Sequence, residues 1–255
     1  VCIGKATRAV EYYDADYKTY LAELRFGIVT DTLDITGEVL EENEVPADVY
    51  ERLTEILENY RGIVTQVPPK YSALKVDGKR LYEYAREGLD VEIKSRQIYV
   101  RSIEVVAQNP EENSLSLEVC CSKGTYIRTI CDDIGRDLGC GAVMTSLCRT
   151  ASGSFSIDDA VDLDAVMDMS DEEIEALIRD VDDTLCGYAE IKLKPHRIKA
   201  FCNGMTTSSG QYVISREADF ISDPRYATSE RLRELAGMYK VYGGGEFLGI
   251  ADINQ

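Results

Sequence analysis

Two short stretches of the chain concentrate side chains that can do chemistry. The first runs from Lys70 to Arg86, where Tyr71, Tyr82 and Tyr84 are interleaved with Lys70, Lys75, Lys79, Arg80 and Arg86. Aromatic rings offer stacking surfaces to unpaired bases and the cations meet phosphates, a combination found on RNA-binding surfaces. The same pattern also fits an ordinary amphipathic helix that buries its tyrosines. The second stretch is Ser122-Lys123-Gly124-Thr125-Tyr126-Ile127-Arg128-Thr129. Here Tyr126 and Arg128 open a helix whose apolar side faces a core. An arginine at that place is either a surface side chain or, when partly buried, one that needs a carboxylate or phosphate partner, because an unpaired buried charge is costly.

Other chemistries are limited by what the chain holds. There is one histidine, His196, so a multi-histidine zinc site within the chain is impossible and any Ser-His-Asp or Cys-His site would have to pass through that residue. The eight cysteines include no C-x-x-C pair and read as buried, reduced thiols of a cytosolic protein. Gly243-Gly244-Gly245 reads as a tight turn rather than a phosphate loop. No metal-ligand constellation is present. No apolar run approaches the roughly 18 residues of a membrane span and no secretory leader is visible, so the expectation is a soluble, cytoplasmic protein.

The elements that would position these clusters can be read from periodicity. Residues 5–13 read as the end of a helix and 17–30 as one strand rich in aromatic and branched residues. Pro46 opens a helix with Val49, Leu53, Ile56, Leu57 and Tyr60 on one face. Asp77-Gly78 marks a turn, and 79–87 reads as a helix stopping at Gly88. Residues 92–107 and 114–121 alternate as strands. Ile127, Ile130, Cys131, Ile134 and Leu138 define a helix over 125–138 that ends at Gly139, which makes 122–125 a strand-to-helix turn. Ser170 and Glu173 are spaced as a capping box for an acidic helix to about 181. After Cys186 the texture becomes that of a small all-β module with a helix near 229–238. The domain boundary is therefore placed near 185, dividing 1–185 from 186–255.

The chain carries 46 acids against 28 bases, a net charge of −18, which taken alone argues against nucleic acid as a partner. The distribution weakens that argument. Twelve acids and one base, Arg179, fall within 158–183, whereas 59–88 holds six bases and three acids. A local basic surface can exist on an acidic protein.

The run Tyr71-Ser72-Ala73-Leu74-Lys75 with Gly78-Lys79-Arg80-Leu81-Tyr82-Glu83-Tyr84-Ala85-Arg86-Glu87-Gly88, followed by Cys121-Ser122-Lys123-Gly124-Thr125-Tyr126-Ile127-Arg128-Thr129, resembles the bacterial tRNA pseudouridine(55) synthases, the TruB family. Gly4-Lys5-Ala6-Thr7, Thr30-Asp31-Thr32, Gly139-Cys140-Gly141-Ala142, Leu147-Cys148-Arg149-Thr150 and Phe247-Leu248-Gly249-Ile250 extend the match along the whole chain. The resemblance implies an α+β fold: a mixed, mainly antiparallel sheet with flanking helices, and a small C-terminal PUA-like β domain. It implies an isomerase that detaches the T-loop uridine of tRNA at N1 and rejoins it through C5, without cofactor or metal, as a monomer. It makes Tyr20 the ring that stacks on a flipped uracil, Tyr126 a pocket wall, Arg128 the partner of the catalytic Asp and Leu147 an apolar wall. Lys70, Tyr71, Lys75, Lys79, Arg80, Tyr82 and Arg86 become contacts to the T stem-loop.

One departure matters. The family's catalytic Asp lies in a Gly-His-Thr-Gly-x-Leu-Asp-Pro loop, and no Asp here matches it; Asp31 lies in the separate Thr-Asp-Thr element. With Val1 in place of Met, the expectation is a family member without its N-terminal portion. Such a chain is inactive alone, with an uncovered sheet edge or core face and with Arg128 lacking its partner. The alternatives are a non-catalytic tRNA-binding relative and an acidic protein-interaction domain.

Overall fold

The computed structural model describes residues 1–15 and 17–253. These fall into two compact units, one formed by 17–152 with 156–158 and the other by 1–15, 153–155 and 159–253.

The first unit contains β1 (Lys18–Phe26), β2 (Ile28–Thr30), β3 (Val39–Glu42), α1 (Val49–Glu58), β4 (Gly62–Gln66), β5 (Lys75–Val76), β6 (Lys79–Arg80), α2 (Leu81–Arg86), β7 (Arg96–Asn109), β8 (Ser114–Cys121), α3 (Ile127–Leu138) and β9 (Ala142–Ser152). With the two-residue β10 (Phe155–Ser156), the main sheet runs β10-β9-β1-β8-β7-β4. β1 is central and antiparallel to both β8 and β9. Its alternation explains that position: Ala22, Leu24 and Phe26 are buried, while Leu21, Glu23 and Arg25 face out. α1 covers the same core with Val49, Leu53 and Leu57, and α3 with Ile127, Ile130, Cys131, Ile134 and Leu138.

The strand read over 17–30 is broken. Gly27 adopts φ +88°, and a side chain there would stand 2.9 Å from the Asn43 carbonyl. The chain turns at that point and leaves the sheet as β2, which pairs with β3 instead. Periodicity could not show this, because Ile28-Val29-Thr30 continues the apolar pattern. The region 79–87 likewise divides: Lys79 and Arg80 form the return strand of a hairpin around Asp77-Gly78, and the helix is only α2. Both turn residues have positive φ, as a two-residue hairpin requires.

α3 sets the position of everything attached to it. It ends at Gly139 in the left-handed region, φ +83°, with backbone N–H groups of Gly139 and Cys140 returning to Arg136 and Gly135. At Gly135 the helix meets the start of β9 so closely that a Cβ would lie 2.1 Å from the Ala142 nitrogen.

The second unit holds a 3-10 helix over Gly4–Ala15, then α4 (Leu163–Met167), α5 (Asp171–Leu177), α6 (Val181–Thr184), β11 (Ala189–Leu193), α7 (Ile198–Cys202), β12 (Tyr212–Arg216), α8 (Glu230–Ala236), β13 (Met238–Gly243) and β14 (Glu246–Asp252). Its sheet order is β12-β11-β13-β14, with β11 and β13 parallel. In the module after Cys186 the helix expected near 229–238 is present as α8, and the short α7 is an addition to the expected β module; the last two residues of 186–255 lie outside the described residues. The acidic helix is two short helices, α5 and α6, and the Ser170–Glu173 capping box is present in both directions. Segment 159–185 groups with this unit rather than with the one before it. Contacts explain why. Asp182 takes Lys240 Nζ at 2.6 Å and the Tyr242 hydroxyl at 2.6 Å, and Leu185 lies in the cluster of Tyr188, Leu232 and Leu235.

All eight cysteines are free thiols, but only Cys121, Cys131 and Cys140 are buried; Cys148, Cys186 and Cys202 are exposed. Among the described residues no helix is long and apolar enough to cross a membrane.

Gly135→Ala is expected to destabilise the first unit by about 3 kcal/mol or more, because the backbone of β9 cannot yield to the added methyl. Gly62→Ala, at a position where a Cβ would meet nothing but φ is +80°, is the comparison for backbone strain alone. Urea denaturation of both variants measures the difference.

Candidate active site around Arg128

The turn that launches α3 is held from three sides. Gln66, the buried last residue of β4, clamps the Tyr126 backbone: the Tyr126 N–H donates to Gln66 Oε1 at 2.9 Å, and Gln66 Nε2 donates to the Tyr126 carbonyl at 3.0 Å. Ser122 exchanges hydrogen bonds with the backbone of Tyr99, and the Thr125 hydroxyl donates to the Ser122 carbonyl. Arg96 donates to the Gly124 carbonyl and lies over the Tyr126 ring at 4.9 Å.

Arg128 follows in the first turn of α3. Its guanidinium is mostly buried, with 26% of the side chain exposed, and it is paired. Nη1 donates to Asp34 Oδ2 at 3.0 Å and approaches the Thr32 carbonyl at 3.4 Å. This corrects the expectation that Arg128 stands without a partner: the chain supplies one from the loop between β2 and β3. That loop is tight. Leu33 adopts φ +64°, and a side chain at Gly37 would collide with Thr32 Oγ1 at 2.3 Å. Backbone bonds from Ile35 to Met144 and from Met144 to Leu33 fasten it to β9.

Asp34 is well provided with donors. The Thr36 hydroxyl and N–H reach Oδ1 at 2.5 and 3.1 Å, and the Thr32 hydroxyl does so at 3.1 Å. Burial pushes the carboxyl up, but the bonds from Thr36 and Thr32, together with the charge of Arg128, outweigh it and hold Asp34 below the ordinary aspartate range.

β9 connects this pair with the other expected site residues. Beyond Met144, Leu147 lies opposite Ala22 and Arg149 opposite Tyr20 on β1. Directly opposed residues share a face, so Tyr20, Leu147 and Arg149 face the same way. Leu147 is 44% exposed and Tyr20 is half-buried against the core. Burial raises the Tyr20 phenol above its ordinary value, with Cys121 adding and Arg149 opposing, so the ring is neutral at physiological pH.

The Lys70–Arg86 cluster is less uniform than its composition. Lys70 pairs with Asp90 at 3.1 Å and Lys79 with Glu87. The Tyr71 hydroxyl is engaged by Asp31, which raises its pKa. Lys75, Arg80 and Arg86 are exposed and carry no carboxylate partner among the described residues. Arg80 and Arg86 flank the Tyr82 ring at 5.8 and 5.3 Å, and Lys79 lies 4.8 Å from the Tyr84 ring. Among the described residues no group of three or more His, Cys, Asp or Glu is arranged to hold a metal ion.

Sequence reasoning missed Asp34, Gln66 and Arg96 and gave Arg149 no role. Asp34 had a local signal, since Thr32-x-Asp34-x-Thr36 is spaced for hydroxyls to close on a carboxylate. Gln66 had none, because its partner is sixty residues away.

A mainly antiparallel sheet flanked by helices, with a separate small sheet module and an arginine at the head of a helix on that sheet, defines a pseudouridine-synthase-like fold. Solved structures share it. A crystal structure of a Cbf5-Nop10-Gar1 complex aligns with TM-score 0.68 at 20% identity, over 98% of this chain and 64% of that one. A structure of an H/ACA RNP bound to a substrate RNA containing 2'-deoxyuridine aligns with TM-score 0.63 at 18% identity. The chain thus spans just under two thirds of these structural neighbours. Residues 1–127 match the TruB family pseudouridylate synthase N-terminal domain, and 128–185 match the tRNA pseudouridylate synthase B C-terminal domain. A tRNA pseudouridine synthase B of Clostridium kluyveri is 38% identical over 251 residues, 98% of this chain and 79% of that protein. One of Bacillus pumilus is 45% identical over 176 residues, 68% of this chain and 57% of that protein. The chain belongs to the TruB family of pseudouridylate synthases.

Asp34→Asn is expected to lower stability by about 1–2 kcal/mol at neutral pH, by leaving a mostly buried guanidinium short of its anion. Because the folded-state pKa of Asp34 is depressed, the stabilisation is present above the ordinary aspartate value of about 3.9 and is lost as pH falls through the folded value. Denaturant titrations at pH 6 and pH 3.5 should show the gap between wild type and variant narrowing at the lower pH.

Proposed function

We propose that this chain supplies the uridine-holding and RNA-contacting parts of a tRNA pseudouridine synthase that acts on uridine 55 in the T stem-loop. The observation that carries the reading is how Arg128 is used. Asp34 and the Thr32 carbonyl both engage Nη1. A guanidinium has five N–H donors in a fixed fork, so the other edge of Arg128 remains available for a second carboxylate. Asp34 fixes the arginine, and the arginine orients and keeps ionised the acid that meets the substrate.

The target atoms of a uridine folded into a loop are inaccessible until the nucleotide is everted. In this reading the flipped uracil stacks on the neutral Tyr20 ring, which offsets lost base stacking by about 1–3 kcal/mol. Leu147 closes the apolar side. Isomerisation breaks the bond from C1' to N1, turns the uracil, forms the bond from C1' to C5 and transfers the C5 proton to N1. No redox partner or metal is required by that balance. The acid that touches the reacting nucleotide belongs to a Gly-His-Thr-Gly-x-Leu-Asp-Pro loop, a sequence these 255 residues do not contain. Asp34 does not replace it, because its oxygens are committed to Thr32, Thr36 and Arg128. The module after Cys186 is read as the PUA-like part that helps to hold tRNA, and the whole as a monomer.

A T stem-loop RNA incubated with the 255-residue chain is therefore expected to yield no pseudouridine, measured by nuclease digestion and mass spectrometry; turnover would sink the assignment of the reacting acid. For affinity the ion pairs set an order. Arg80→Ala and Arg86→Ala should each weaken binding of that RNA and flatten its salt dependence by about one counterion. Lys79→Ala should do less, because Glu87 already neutralises Lys79. Filter binding across salt concentrations decides between this order and equal effects.

A further inference from the structure

β9 does not keep one register along β1. From Met144 opposite Leu24, simple alternation would bring Ser146 opposite Ala22 and Cys148 opposite Tyr20. Instead Leu147 stands opposite Ala22 and Arg149 opposite Tyr20, and beyond Tyr20 the pairing resumes with Ala151 opposite Thr19. Thr145 and Thr150 are the extra residues, one bulge on each side of 146–149. A one-residue slip moves every side chain to the other face of a sheet. The two bulges therefore turn over this short segment and leave the rest of β9 as it was. Bulges re-aim side chains in this way. Without them Arg149 would look out from the opposite face of the sheet.

What the inversion delivers beside Tyr20 is an uncompensated cation. Arg149 is exposed and has no carboxylate partner among the described residues. It reaches the Tyr20 phenol, where its charge and its hydrogen bond oppose the upward push of burial. That contact leaves most of the five N–H donors of the guanidinium for another acceptor. Arg128 is already met by Asp34, so of the two arginines Arg149 is the one left for an external anion.

RNA supplies such an anion at a fixed place. A nucleotide whose base lies on the Tyr20 ring carries its ribose and phosphates past the edge of that ring, towards a side chain held there. A guanidinium takes a phosphate through two parallel N–H···O bonds. We propose, resting on the functional reading above, that Arg149 binds a phosphate flanking the everted uridine and so braces the nucleotide by its backbone while Tyr20 holds its base. The cations of the Lys70–Arg86 spot can meet RNA whatever the state of the target nucleotide. The Arg149 contact forms only when that nucleotide is out of the stack, so it acts on the eversion itself.

Fluorescence anisotropy on the 255-residue chain tests this with four T stem-loop RNAs. One is unmodified; the others carry a neutral methylphosphonate 5' of the target uridine, 3' of it, or at a distant stem phosphate. Arg149→Met, at an exposed position, should weaken binding of the unmodified RNA by about tenfold, the loss of a charge-assisted pair. One of the two flanking methylphosphonates should cost the wild type a similar factor and cost Arg149→Met nothing, because the partner is already gone. The distant methylphosphonate should cost both chains equally. Arg25→Met, which removes the same charge from the outward face of β1, should bind within about twofold of the wild type. Failure of the wild type to bind the unmodified RNA overturns the functional reading and this proposal together. With that binding intact, the proposal alone is overturned if Arg149→Met loses nothing, if its loss is the same on every RNA, or if Arg25→Met loses as much.

Discussion

A guanidinium removed from water must be met by an anion, and much of the first unit is arranged so that Arg128 is. The helix that carries it is placed by the contact of Gly135 with Ala142, where no side chain intervenes. The turn before the helix is set by the two-way clamp of Gln66. The anion comes from a strained loop that the backbone of β9 pins in place. Loosening any of these would move charge relative to charge by fractions of an ångström, and in a partly buried pair that distance is where the energy lies.

Negative charge is distributed differently in the two units. The acids of α4 and α5 sit on short, exposed helices whose first turns carry carboxylates, where helix N-termini favour them, whereas Asp182 of α6 is paired with Lys240 and Tyr242. In the Lys70–Arg86 region the acids are interspersed instead, and they neutralise selected cations. What remains is a compact positive spot of Lys75, Arg80 and Arg86. Composition counts five bases in this stretch; geometry leaves three of them without a carboxylate.

Where periodicity was strong, the fold was legible. The apolar repeat of α3 and its glycine stop, the Asp77-Gly78 turn and the Ser170–Glu173 box each follow from local physical preference, and each is present. The break at Gly27 was not legible, because what forces it is a carbonyl sixteen residues on that leaves no room for a side chain. The exposed cysteines were misjudged for a related reason: apolar neighbours in sequence do not say that Cys148 lies on the outer face of β9, or that Cys186 falls in a loop and Cys202 at the end of α7. In the site, residues whose partners are near in sequence could have been found, as with Asp34, Thr32 and Thr36. Gln66 and Arg96 act on backbone groups tens of residues away, and no spacing rule reaches them.

The arrangement of Tyr82 shows how side chains of one sign can be gathered without an anion. Two guanidiniums close to one another repel, and on a flexible surface they would part. Here both Arg80 and Arg86 lie over one ring, and the Arg80 guanidinium also donates to the Tyr82 hydroxyl at 3.1 Å. The negative π-face offsets part of the repulsion and limits the rotamers each side chain can sample. The entropy of ordering is then already lost before a ligand arrives. A phosphate meeting this spot would gain two charges held in register, whereas one meeting Lys79 would first have to displace Glu87. For an anion meeting this surface, what counts is therefore which cations have been left without a carboxylate, and the net charge of the whole chain has little bearing beyond the Debye length of about 8 Å at physiological salt.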